Sequence, residues 1–115
     1  SPNSLVYTGT HDNDTMQGWI DHASPAEIAI IRDYLGGTVK DADMVYELLR
    51  LALMSVAVFA VFPIQDVYAI GSEARMNTPS TLGNNWSWRM GSNLLEEGKA
   101  AWLKKYSRLY ARNLK

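Results

Sequence analysis

Apolar positions fall along this chain in blocks whose spacing changes from one block to the next, and each change marks an element. Ser4 to Thr10, rich in Leu, Val, Tyr and Thr and broken at Gly9, predicts a short strand. From Asp14 a short helix is predicted through Gln17, Trp19 and Ile20, stopping before Ser24-Pro25-Ala26-Glu27. That tetrapeptide is a capping box with proline at the first helical position. It starts a second helix through Ile28, Ile31 and Leu35, ended by Gly36-Gly37. Asp41 or Asp43 is placed to cap a third helix, whose apolar positions Met44, Val45, Leu48, Leu49 and Leu51 to Leu53 cover most of its circumference. Such a helix is expected to be buried on more than one side.

Around Ser55 the pattern becomes a β-branched and aromatic run, Val56 to Phe62, closed by Pro63. Periodicity alone does not separate a buried strand from continued helix, but propensity and the proline favour a strand. Ile64 to Ile70 predicts a brief helix ending at Gly71, and the Asn/Pro/Gly-rich stretch to Gly91 reads as irregular. A loop of that length inside a compact domain is usually functional. The last helix is expected to have Ser92 or Asn93 at its cap and Glu96 and Glu97 in its first turn. Its stripe is Trp102, Leu103, Tyr106, Leu109 and Tyr110, with Lys and Arg gathered toward its end. The alternation is that of a parallel α/β architecture. Two strands are too few for a sheet of that kind, so residues 1–115 read as a single segment excerpted from something larger.

Composition narrows the function. Almost half of the 115 residues are apolar, enough for a buried core, and no cysteine is present. Disulfide scaffolds, thiol nucleophiles and cysteine-ligated zinc are thereby excluded, and a reducing compartment, the cytoplasm, is the expected location. A net charge of −1 argues against nucleic-acid and anionic-membrane partners. Seven acids against two bases in residues 1–44 and seven bases against two acids in residues 89–115 read as solvated helix faces. The longest apolar run, Leu51 to Ile64, has 14 residues, short of the roughly 20 needed to span a bilayer. Ser1-Pro2-Asn3-Ser4 lacks the character of a secretion signal.

Two stretches carry candidate chemistry. One is Tyr7 to Thr15, where the first strand breaks into His11, Asp12, Asn13 and Asp14; the other runs from Glu73 to Arg89. His11, Asp12, Asp14 and His22 are metal-ligand types, but a calcium loop begun at Asp12 would place Gln17 at the required glycine and Ala23 at the bidentate acid. No Gly-x-Ser-x-Gly elbow is present. Carbohydrate chemistry suits the residue types better, because a sugar presents vicinal hydroxyls and an apolar ring face. Its sites combine carboxylates, imidazole and amides with aromatic rings. His11 and Asp12 facing Asn77, Asn85, Trp86, Trp88 and Arg89 would have that mixture. Each of the latter also has an ordinary reading: Trp86 and Trp88 as core aromatics, Arg89 as an ion-pair partner, Asn84-Asn85 as a turn.

Gly9-Thr10-His11-Asp12-Asn13-Asp14-Thr15 resembles the fourth conserved region of the 4-alpha-glucanotransferases called amylomaltases or disproportionating enzymes, a branch of the α-amylase clan. Phe62 to Val67, Gly71 to Pro79 and Gly83 to Arg89 resemble that family's C-terminal blocks, in the same order. Ser80 stands where the family's glycine is expected, and Asn84-Asn85 departs from its usual Gly-Asn-Trp. The resemblance implies the C-terminal part of a TIM (β/α)8 barrel, helix-rich in content, with residues 5–10 as strand seven and 57–62 as strand eight. It also implies a retaining double displacement on α-1,4-glucans and maltooligosaccharides, without cofactor or metal. Asp12 would be the carboxylate that stabilises the transition state, with His11 and Asn77 on the same sugar and Asn85, Trp86 and Arg89 as further substrate contacts. The family's nucleophile and acid/base follow earlier strands and have no counterpart here, so Asp14, Asp66 and Glu73 are not assigned those roles. The isolated chain is expected to be inactive, its other partner being the rest of the barrel. The alternatives are a hydrolase of the same clan, disfavoured by the Arg-Met-Asn-Thr-Pro block, and a non-catalytic glucan-binding module with Trp86 and Trp88 as a stacking platform.

Overall fold

A computed structural model describes residues 3–92 and 97–112. Strand β1 (Leu5–Tyr7) is followed by helices α1 (Met16–His22), α2 (Pro25–Tyr34) and α3 (Met44–Met54), then by β2 (Phe59–Val61), α4 (Ile64–Val67) and α5 (Glu97–Leu109). Single 3-10 turns at Asp41–Asp43 and Ser72–Ala74 precede α3 and follow α4. The strands pair in parallel with Leu5 opposite Phe59 and Tyr7 opposite Val61. A parallel pair needs a long crossover, and here α1 to α3 supply it. The chain is therefore α/β and helix-rich, with both strands shorter than their sequence runs.

The core lies on α3. Met44, Val45, Leu49, Ala52 and Leu53 are buried, joined by Ala57, Val67 and Ala74. The flank bearing Tyr46 and Arg50 packs on α5, where Tyr46 meets the Trp102 ring edge-on at 5.8 Å and Arg50 lies 4.9 Å from the centre of the Tyr106 ring. Burial on more than one side, expected from the spacing, is thus observed. Arg112, beyond α5, donates from Nε to the Leu53 carbonyl (2.6 Å) and from Nη2 to the Ser55 carbonyl (2.7 Å). A cation at the C-terminus of α3 satisfies end carbonyls and complements the helix dipole.

Local cap chemistry is as predicted for α2: Ser24 Oγ accepts from Glu27 N–H, and the Glu27 carboxylate accepts from Ser24 N–H. Elsewhere the structure corrects the sequence reading. Asp43 is the N-cap residue of α3 but its side chain makes no cap bond, because a 3-10 turn delivers the chain. Asp41 instead pairs with Arg32, which also holds the Val39 carbonyl and so closes the α2–α3 loop. Helix α1, predicted from Asp14, starts at Met16 with Thr15 as its cap. Helix α4 stops at Val67, and Leu109 of the α5 stripe is exposed. Asn93 and Glu96 lie outside the described residues.

The strand faces are the other departure. Leu5, Tyr7, Phe59 and Val61, in register on one face, are all more than half exposed. The total accessible surface, 7853 Å², exceeds the about 6,300 Å² expected of a self-contained protein of this mass. The radius of gyration, 15.0 Å, exceeds the roughly 13 Å typical of a compact domain of this size. Among the described residues no helix is long and apolar enough to cross a membrane.

One buried carboxylate ties the pieces at the strand ends. Asp66, 2% exposed on α4, accepts from Thr8 Oγ1 at 2.6 Å and from Met16 N–H at 2.9 Å. Asp66→Ala, which strands both donors, is expected to destabilise the chain by about 1–3 kcal/mol, read by thermal unfolding; no change in Tm would refute this. In α2, the Ser24 backbone and side-chain hydrogen bonds hold the Glu27 carboxyl below its ordinary value. The capping box should therefore be complete above the ordinary glutamate range and come apart as pH falls through that lowered value. An NMR titration of Glu27 with an unshifted, ordinary midpoint would contradict it.

Candidate active site

The turn after β1 is closed by its own residues. Asn13 Oδ1 accepts from Thr10 N–H at 2.7 Å and from Thr10 Oγ1 at 3.0 Å, and Asn13 N–H bonds the Thr10 carbonyl. This is the short side-chain-to-backbone bonding that makes asparagine a turn former. It holds His11 and Asp12 at the tip, both with side chains about half exposed. Behind the tip, Asp14 Oδ1 accepts from Thr15 N–H at 2.8 Å and Asp14 Oδ2 from Ser72 Oγ at 2.8 Å. The Asp14 carboxylate thus anchors the turn to the segment after α4. Gly18 makes that anchor possible, because a Cβ there would lie within 2.4–2.7 Å of Ser72 Oγ and the Asp14 carboxylate.

The segment after α4 runs back along the tip. Asn77 N–H donates to the His11 carbonyl at 3.1 Å, and Asn77 Nδ2 donates to Asp12 Oδ1 at 2.6 Å. Arg75 donates from Nη2 to the Asp12 carbonyl at 2.7 Å and from Nε to the Asn77 carbonyl at 2.9 Å. The other Asp12 oxygen lies 3.5 Å from His11 Nε2. His11 leans on Trp86, ring centres 4.9 Å apart and planes 42° apart, a tilted pairing favoured between aromatic rings. Below the tip is a cavity of about 170 Å³ lined by residues that include Thr10, His11, Asp14, Asp66 and Arg75. Among the described residues no three His, Asp or Glu side chains come together as a metal site.

Of the predicted site residues, His11, Asp12, Asn77 and Trp86 are thus brought together. The contacts of Asn85 and Arg89 run within their own loop. Asn85 Oδ1 accepts from Thr78 N–H at 3.0 Å and its amide donates to Thr81, while Arg89 Nη1 donates to the Trp86 and Trp88 carbonyls at 3.1 and 2.9 Å. Asn85 is part of a turn, as its ordinary reading had it, and Arg89 braces carbonyls, with no ion pair to it among the described residues. Trp86 is half exposed and no core residue, whereas Trp88 is partly buried. Trp86 (φ 59°), Ser80 (φ 64°) and Asn84 (φ 58°) occupy the left-handed region. Glycine would enter that region without strain, so serine and asparagine at the last two places keep the loop path at a conformational cost. Sequence reasoning missed Arg75 as part of the site. The signal available was its place two residues before Asn77, but nothing local shows that its partners include a carbonyl 63 positions away.

Comparison with known proteins points one way. A family model described as 4-alpha-glucanotransferase matches residues 1–94. The chain is similar to the 4-alpha-glucanotransferase of a Synechocystis strain, 41% identical over 112 residues that cover 97% of this chain and 22% of that protein. It is also similar to that of Thermus thermophilus, 50% identical over 90 residues covering 75% of this chain and 18% of that protein. Among solved structures, the amylomaltase from Streptococcus agalactiae in complex with acarbose superposes with a TM-score of 0.91 at 30% identity, over 99% of this chain and 23% of that one. The chain spans about a fifth of the length of these relatives. On these matches, and with the His11-Asp12 turn joined to the Asn77 segment as described, the chain belongs to the 4-alpha-glucanotransferase family.

Proposed function

We propose that this chain is the C-terminal portion of a 4-alpha-glucanotransferase and supplies the charge-stabilising part of its sugar site, with β1 and β2 as strands seven and eight of a (β/α)8 barrel. The observation that carries the reading is the 2.6 Å bond from Asn77 Nδ2 to Asp12 Oδ1. It joins two motifs 65 positions apart into one polar surface at the C-terminal end of β1. Barrel enzymes gather their chemistry at that end of their strands. The parallel pairing of β1 with β2 and their exposed apolar face support the barrel placement, since parallel sheets are normally covered on both faces.

The reaction is a retaining transfer between α-1,4-glucans. A carboxylate from outside this chain bonds to the anomeric carbon while a protonated carboxylic acid, also from outside, gives its proton to the departing glycosidic oxygen. A hydroxyl of the second glucan then attacks the same carbon, its proton passes to the acid/base, and the nucleophilic carboxylate leaves. Positive charge develops on the anomeric carbon and ring oxygen in both steps. Asp12 accepts hydrogen bonds from the sugar's hydroxyls, and these strengthen as that charge grows. Asn77 pins one Asp12 oxygen and leaves the other, beside His11 Nε2, directed to substrate. The half-exposed Trp86 ring backs His11 with an apolar surface for the sugar face. The acarbose bound by the Streptococcus agalactiae amylomaltase supports an oligosaccharide ligand.

Incubated with maltotriose, the isolated chain should release no glucose and form no longer oligomers; turnover would overturn the division of roles. In the full-length enzyme carrying this segment, Asp12→Asn should lower kcat by about 100-fold or more while KM changes far less. An unchanged kcat with a raised KM would make Asp12 a uniform binder of substrate.

A further inference from the structure

The Arg75 guanidinium is placed where none of the roles above uses it. Its Nη2 and Nε donate to the backbone carbonyls of Asp12 and Asn77, at 2.7 and 2.9 Å. Those are the two residues whose side chains meet at 2.6 Å, and the Asn77 N–H returns to the His11 carbonyl. The tip of the first loop is thus laced to the second through backbone as well as side chain, and one planar group makes two of the bonds. A guanidinium holds its donors in a rigid fork and keeps its charge at any ordinary pH. The spacing of the two carbonyls is thereby set by covalent geometry. Arg75 also lines the cavity beneath the tip, so without it the turn would lose both its strut and part of its floor.

We propose that Arg75 is a positioning residue for the transfer reaction: by bridging the Asp12 and Asn77 carbonyls it fixes the height and tilt of the His11-Asp12 turn, and through it the direction of the Asp12 carboxylate. This rests on the reading of Asp12 as the charge stabiliser. Arg75 acts through the backbone, so its contribution belongs to the chemical step and depends on Asp12 being there to be aimed. The fork, not the charge, is the active feature, and a lysine ammonium would satisfy one carbonyl and leave the other free.

The test uses the full-length enzyme carrying this segment, with kcat and KM for maltotriose disproportionation and thermal unfolding measured on each variant. Arg75→Ala is expected to lower kcat by roughly 10- to 100-fold with KM within about threefold. Arg75→Lys should restore only a minor part of that loss. In an Asp12→Asn background, Arg75→Ala should cost less than about threefold more, because a misaimed group already removed has nothing further to lose. Wild-type kcat in Arg75→Ala, full recovery in Arg75→Lys, or losses that multiply in the double variant would each overturn the proposal. Should Arg75→Ala fail to fold, Arg75→Lys carries the comparison: a folded Lys variant with full kcat overturns it and one with a depressed kcat supports it. A large Asp12→Asn loss beside independent losses at Arg75 refutes the positioning role alone, whereas an unchanged kcat in Asp12→Asn refutes the role of Asp12 and this one with it.

Discussion

The buried carboxylate of Asp66 is the contact on which the arrangement of the site depends. It accepts the Thr8 hydroxyl just past β1 and the Met16 N–H at the first turn of α1, and it sits on α4 just after β2. Three element ends therefore meet on one group. The first turn of any helix leaves N–H groups without partners, and here one partner comes from 50 positions away. A negative group at that place is also favoured by the helix dipole. A buried carboxylate is tolerated only when such donors surround it, so the same two bonds make Asp66 admissible and hold the strand ends at fixed separation. The adjacent Gln65 extends the junction by donating to the Ala74 carbonyl at 3.2 Å, which fixes where the segment bearing Arg75 and Asn77 begins.

From that junction the functional surface is built by loops and not by regular structure. The His11-Asp12 turn is closed locally by Asn13 and anchored at depth by Asp14 on Ser72. The opposing segment is irregular, yet its polar groups have partners: Thr78 in Asn85, Trp86 N–H in the Met76 carbonyl, the Trp86 and Trp88 carbonyls in Arg89. Asn85 and Arg89 thereby shape the loop that carries Trp86, while His11, Asp12 and Asn77 form the face it borders. Loops that hold themselves by side-chain-to-backbone bonds can keep residues in the left-handed region, as Ser80, Asn84 and Trp86 are here.

The energetic balance of the chain is uneven. One side is a true interior, with α3 packed against α4 and α5 and its C-terminus bonded by Arg112. The other side is a two-stranded parallel sheet whose apolar residues Leu5, Tyr7, Phe59 and Val61 face water. A sheet of two strands with an open apolar face is a poor structure by itself. It is a normal one as two neighbouring staves of a closed barrel, where adjoining strands and the residues inside the barrel cover that face.

Much was legible in the residues alone wherever the controlling physics is local. The Ser24-Pro25-Ala26-Glu27 cap, the glycine stop after α2, the apolar wrap of α3 and the β-branched run that becomes β2 depend on neighbours within a few positions. The pairing of a carboxylate and an imidazole at the end of a strand was legible for the same reason, and the order of the motifs led to the family. Other assignments failed where distance entered. The helix predicted from Asp14 begins at Met16 with Thr15 as its cap, while the Asp14 carboxylate accepts from Ser72 Oγ, 58 positions away. Asp43 makes no cap bond because a 3-10 turn leads directly into α3. By itself, then, the sequence determined the elements, the chemical types in the site and the family. Only the tertiary structure decided which side chains meet: that Asn77 reaches Asp12, that Arg75 bridges both backbones, and that Asp66 ties the strand ends together. Propensity and periodicity act over one or two turns of chain, whereas a hydrogen bond across more than 60 positions exists only once packing has brought its two ends within 3 Å.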